Sequence, residues 1–191
     1  MGGKLGLLFG QTMTAFAGGA VAAVVASRLL PPLVAQAAGA ARAASGGDPL
    51  ETLIADHRRF VALLTEMEQS SDTATFHRTQ LLLRLKRGLA AHALAEEDIV
   101  YPLLHDEAKA ADDAKHLYSE HADMKIHLHA LEQMPKDGPE WAARAGTLRQ
   151  LIEAHARHEE EVDFPKLRQV LSEQAMRQLA GHVQREKALI L

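Results

Sequence analysis

His92-Ala93-Leu94-Ala95-Glu96 and His155-Ala156-Arg157-His158-Glu159 share one spacing, His-x-x-x-Glu, and each is followed at the same distance by an aromatic residue and a proline, Tyr101-Pro102 and Phe164-Pro165. On a helix, residues i and i+4 lie about one turn apart on one face, so an imidazole and a carboxylate so placed can reach a common ion. Both motifs have upstream companions in register. Asp56-His57 opens a segment ending Glu66-Met67-Glu68-Gln69, and Glu120-His121 opens one ending Ala130-Leu131-Glu132-Gln133. His57 precedes His92 by 35 residues and His121 precedes His155 by 34. The chain reads as a duplicated helical hairpin, each copy offering a His and then a His-x-x-x-Glu.

Working outward, Asp48-Pro49 marks a helix start, with Asp at the N-cap and Pro at the first helical position. Leu53, His57, Phe60, Leu64 and Met67 then recur at steps of three and four, which places His57 in an apolar stripe. A second helix, about 74–100, has the stripe Leu81, Leu85, Leu89, His92, Glu96 and Ile99. A third, about 111–133, aligns Leu117, His121, Met124, Leu128 and Leu131, and Pro135 to Pro139 make a turn. A fourth, from Glu140, aligns Leu148, Leu151, Ile152, His155, Glu159 and Val162. The last amphipathic stretch, 171–190, has no ligand-like pattern; it packs outside the bundle or serves an interface, including one between copies of this chain. The expected fold is all-α: an up-down four-helix bundle over residues 49–191 with an extra C-terminal helix and an N-terminal hydrophobic helix.

Composition bounds the function. The 191 residues are 47% hydrophobic, enough for one domain with a sizeable core, and a net charge of −4 gives no electrostatic footprint for nucleic acid. Eleven His and no Cys mean that any protein-held metal is bound by nitrogen and oxygen, which excludes thiolate zinc sites and cysteine-ligated clusters. Between Lys4 and Arg28 no residue is charged, and residues 5–27 are mostly Gly, Ala, Val, Leu and Phe. That length suits a single membrane anchor within residues 1–30 better than the shorter apolar core of a signal peptide. Two alternatives stand beside it: export after cleavage near Val34-Ala35-Gln36-Ala37, and a Gly/Ala-rich arm on a cytoplasmic protein. Gly2, Gly6 and Gly10 repeat the small-xxx-small spacing that permits close helix packing. Residues 31–48, opening with Pro31-Pro32 and rich in Ala and Gly, form a linker or partly helical spacer.

Four helices thus each bring an inward His, and the second and fourth add an inward Glu. Burying two carboxylates beside four imidazoles costs several kcal/mol per ion unless a cation or a dense hydrogen-bond network compensates. Imidazole with carboxylate suits iron, manganese or zinc, and two carboxylates able to bridge favour a pair of ions. Ferritin-type bundles use Glu-x-x-His, and no Glu here is followed by His at that distance.

The duplicate resembles the hemerythrin-like family with its repeated HHE cation-binding motif, over about residues 50–170. The residues that carry the resemblance are Asp56-His57, His92 to Glu97 with Tyr101-Pro102, Glu120-His121, and His155 to Glu160 with Phe164-Pro165. It implies a four-helix bundle around a non-haem di-iron centre, with His57, His92, Glu96, His121, His155 and Glu159 as ligands, Glu96 and Glu159 able to bridge, and an open position for O2, NO or another small molecule. This chain departs from the oxygen carriers: Lys125 stands four residues after His121 and Glu160 five after His155, where carriers have His and Asp. A shell richer in carboxylate favours the oxidised ion and less reversible oxygen binding. Glu97 and Glu160 are candidates for the ligand shell or its support, against a solvated position on the helix face. His116, His127, His129 and His158 are expected at the surface, His77, His105 and His182 have no partner pattern, and Tyr101 and Phe164 close the bundle end, with the Tyr101 hydroxyl also able to hydrogen-bond a ligand at the site.

Three functions fit these residues: a di-iron protein that binds or senses O2, NO or iron near a membrane; a di-iron oxidoreductase consuming O2, peroxide or NO; and a structural bundle with a zinc-filled or empty site. The first is preferred, because the sequence shows a centre but neither a substrate pocket nor a domain for electron supply.

Overall fold

A computed structural model describes residues 31–41 and 48–190, all helical apart from short connections. The elements are α1 (31–41), α2 (Glu51–Gln69), α3 (Thr75–Ala95), a π turn (Glu96–Val100), α4 (Tyr101–Asp106), α5 (Ala111–Gln133), α6 (Pro139–His158), a second π turn (Glu159–Asp163), α7 (Phe164–Val170) and α8 (Glu173–Ile190). The pairs α2 with α3 and α5 with α6 are the two hairpins, and α2 lies along α6 to join them. No strand occurs among the described residues.

The expected helices are present with small boundary shifts. The first long helix starts later than Asp48-Pro49 predicts: its N-cap is Leu50, without a side-chain cap, and Pro49 lies in the turn before Glu51, where Asp48 Oδ1 accepts the Leu50 N–H at 2.9 Å. Of the two readings of the spacer, the helical one holds for 31–41. This α1 lies on α8 so closely that a Cβ added to Gly181 would come within 2.9 Å of the Gln36 carbonyl oxygen. The stretch expected to form an N-terminal hydrophobic helix falls in residues 1–30, outside the described residues, and no described helix is long and apolar enough to cross a membrane.

At two corresponding points the inward stripe slips by one residue. Ile99 is only partly buried and Val162 is exposed, while Val100 and Asp163 are buried in their place. The cause is the π turn after each motif. A wider turn takes up one extra residue, so the face that points inward slips by one position. The same slip buries Tyr101 and Phe164 completely. It also brings Pro102 and Pro165 into the first turn of the following α-helix, and the Glu97 carbonyl near Pro102 accepts the Tyr118 hydroxyl at 2.7 Å.

Apolar side chains form two clusters. One gathers Leu53, Leu104, Leu167, Leu179 and Val183 with Tyr101 and Phe164. The other gathers Phe60, Leu64, Leu85, Trp141, Leu148 and Ile152. The motif residues fall between them in sequence on every long helix, so the bundle carries a belt of buried polar groups between two apolar ends.

Candidate metal centre

His57, His92, Glu96, His121, His155 and Glu159 are all buried, none more than 3% exposed. They converge from α2, α3, α5 and α6 and the first residues of the π turns. His57, Glu96, His155 and Glu159 each present a ligand atom within 4.8 Å of the others. Glu159 Oε2 faces His57 Nε2 at 3.3 Å and His155 Nε2 at 3.5 Å. Glu96 Oε1 turns toward His57 at 3.8 Å, while its Oε2 meets His92 Nε2 at 3.0 Å and His121 Nε2 at 3.3 Å. The two oxygens of Glu96 therefore address different imidazoles, which is the disposition of a bridging carboxylate.

Behind each ring stands a second carboxylate. His57 Nδ1 lies 2.9 Å from Glu160, His121 Nδ1 2.8 Å from Glu97, and His155 Nδ1 2.8 Å from Glu120. His92 Nδ1 stands 3.4 Å from Asp56. An ionised carboxylate only accepts, so the proton of each neutral ring sits on Nδ1 and the Nε2 lone pair points inward. This is the arrangement in which outer carboxylates fix and enrich metal-binding imidazoles. The duplication governs it. The acid preceding the first His of each repeat backs the second His of that repeat, and the Glu following each motif backs the first His of the other repeat. Glu97 and Glu160 thus each stand behind a ring, with one carboxylate oxygen on an imidazole Nδ1.

Tyr101 enters the same space. Its Oη lies 2.9 Å from His121 Nε2 and donates to Glu159 Oε1 at 3.0 Å, so it does more than close the bundle end. Its counterpart in the second repeat, Phe164, stacks on His57 with ring centroids 6.3 Å apart.

The donor set fits a cation. Glu96 Oε1, Glu159 Oε2 and His155 Nε2 are buried without hydrogen-bond partners. His57 Nε2 and His92 Nε2 approach to 3.1 Å, which is repulsive between two inward lone pairs unless a positive charge intervenes. Protons answer the same demand. Burial works against a charged His92, but Glu96 and Asp56 prevail and push it up to about 10. His121 rises likewise to about 9 against its own burial, through Glu96 and Glu97. Glu96 is held well below the carboxylate range despite its burial, by His92 and His121. Burial and the carboxylates push Tyr101 well above its ordinary value, so the phenol keeps its proton. Asp56 is lowered in spite of burial, by His92 and Lys187.

The other histidines sit mainly outside. His77, His105 and His116 are exposed, while His158 is partly covered and meets Asp163 at 3.3 Å. The supporting acids Asp56 and Glu120 were in plain view in the sequence as the residues before each first His. Their role needed the ring directions that only the fold supplies.

Comparison with known proteins agrees with this geometry. Residues 48–167 match the Hemerythrin HHE cation binding domain, and the chain belongs to that family. It is 30% identical over 135 residues to a DNA nickase of Nostoc sp., across 71% of this chain and 38% of that protein. It is 26% identical over 147 residues to an uncharacterized hemerythrin-like protein of Schizosaccharomyces pombe, across 73% of this chain and 69% of that one. No solved structure matches.

Proposed function

We propose that the chain is a non-haem di-iron protein that binds or senses a small molecule such as O2 or NO, or iron itself, through His57, His92, Glu96, His121, His155 and Glu159, and that residues 1–30 tether it to a membrane. The observation that carries the reading is the pair of buried carboxylates with unpartnered oxygens turned toward inward imidazoles. Bound iron would supply Lewis acidity and electron transfer, and zinc or manganese suits the same nitrogen and oxygen donors. The chain's own part is to aim the rings through Asp56, Glu97, Glu120 and Glu160, to keep a proton on Tyr101 beside Glu159, and to exclude water with Phe60 and Phe164.

An oxidoreductase reading has one specific support, the protonated Tyr101 hydroxyl held inside the centre, which could serve as a proton donor. Nicking of DNA is the activity for which one relative is named, and this chain matches 38% of that protein. The net charge of −4 offers nucleic acid no basic footprint.

The test is metal analysis of the purified protein, with optical spectra of the reduced form before and after air is admitted. About two irons per chain and an oxygen-dependent band support the proposal. Zinc, or no metal with an intact helical fold, favours a structural bundle. Glu96→Ala and Glu159→Ala should each lower metal content; unchanged iron stoichiometry in both would remove them from the ligand set.

A further inference from the structure

A cavity of about 320 Å³ lies against the imidazole side of the centre, where α3 and α5 are in only slight contact. Its floor is the four inward histidines, and its walls are Phe60, Leu89, Met124, Leu128 and Ile152. Lys86 and Lys125 stand at its rim. The volume is far more than a diatomic gas needs. At the ~30 Å³ that a water takes in the liquid, it has room for about ten heavy atoms, and it falls in the range of organic ligand sites. The walls are apolar apart from Glu97, whose carboxylate is taken up by His121 and Lys125, so a ligand's charge can be accommodated only at the two ends. The rim ammoniums are already paired, Lys86 with Glu132 and Lys125 with Glu97. At the inner end stand the four imidazoles, with His155 Nε2 left without a hydrogen-bond partner, and a cation held by them would attract the head of an anion.

We propose that this cavity takes an organic monoanion, a linear alkyl carboxylate of about six to ten carbons, with its head on the metal and its chain along Leu89, Met124 and Leu128. The inference rests on the metal reading above and names the ligand class that reading leaves open. It differs from the sequence expectation that no substrate pocket exists, because cavities are set by the space between helices and not by any motif on one of them.

The experiment uses the full chain loaded with Co(II), titrated with acetate, butanoate, hexanoate, octanoate and dodecanoate while the cobalt absorption band is followed. That band responds only to ligands reaching the metal, so partition into detergent does not register. Affinity should rise about fourfold per added methylene up to about eight or ten carbons and then fall. Leu128→Trp fills the cavity without touching a ligand residue; it should keep the cobalt and its response to acetate while losing the rise with chain length. Leu89→Phe, a smaller filling, provides the same comparison if the first variant does not fold. Equal affinity for all five acids, tightening that persists in the filled variant, or binding by calorimetry that is equal without metal would each overturn the proposal. Failure of the protein to take up cobalt would instead sink the metal reading itself.

Discussion

Asp56, Glu97, Glu120 and Glu160 each stand behind one of the four inward imidazoles, and in the metal-free protein this crowd of negative charge is answered by protons. His92, raised to about 10, and His121, raised to about 9, both carry a proton at pH 7.5. Their pKa values lie above the ordinary 6.5 of an unfolded chain, so the stability they contribute to the metal-free fold is fully present below 6.5 and is lost as pH rises through 9 to 10. Metal binding must expel these protons, because a ligating nitrogen cannot keep one. Loading at pH 7.5 should therefore release about two protons from these two rings, and affinity should climb with pH until about 9 to 10. Calorimetry in two buffers of different ionisation enthalpy measures the release; a value near zero would mean that the rings are already neutral. The six ligand candidates were legible because each sits on an apolar stripe, where an ionisable group is conspicuous. Of the four supporting acids, Glu97 and Glu160 were legible as candidates beside the motifs, whereas Asp56 and Glu120 lie off that stripe and acquire their role only when a ring from another helix turns its Nδ1 toward them. Tyr101 was legible as a hydrogen-bonding group at the bundle end; its full entry among His121 and Glu159 was hidden by a one-residue slip of the inward face.

That slip belongs to the helices. Periodicity at 3.6 residues located α2, α3, α5 and α6, with the limits of α5 in full agreement, but it could not show the π turns, because sequence carries no direct mark of an i+5 bond. The Tyr101 N–H closes such a bond on the Glu96 carbonyl, and the Phe164 N–H does so on Glu159. Both motif glutamates therefore sit where the helix widens, as functional side chains on helices often do. A second feature at this scale is α8, which begins at Glu173, beyond the end of the family match at residue 167. Expected to pack outside or serve an interface, it lies on α3 and sends buried Lys187 to Asp56, the acid behind His92. A helix without ligands thus reaches the centre at third hand. Lys187→Met should leave helix content unchanged by circular dichroism yet weaken metal binding by roughly tenfold, the lower end of what loss of an outer-shell partner costs. Equal affinity in the variant would reduce α8 to a packing element.

Across the whole molecule, duplication divides the candidate centre between two hairpins. Each repeat is a hairpin that supplies half of the donors, and the outer carboxylates cross between repeats, Glu97 to His121 and Glu160 to His57. The N-terminal tether belongs to the same scale. If residues 5–27 anchor the chain, deleting 1–30 should move it from the membrane pellet to the supernatant after centrifugation, with metal content unchanged; continued sedimentation with membranes would reject the anchor. The centre's own effect on the whole follows from linkage. Its candidate ligands come from all four long helices, and an unfolded chain cannot assemble them, so metal binds the native state almost alone. At a free metal concentration 100 times the dissociation constant, the native state gains about 2.7 kcal/mol. For a chain of this size that is a rise in melting temperature of roughly 5–10 °C. Calorimetric scans with Fe(II) under anaerobic conditions, with Zn(II), and after chelation would measure it. A rise in the wild type that disappears in Glu96→Ala would tie the stabilisation to the belt between the two apolar clusters. An equal rise in the variant would place the stabilising ion elsewhere, on the exposed histidines.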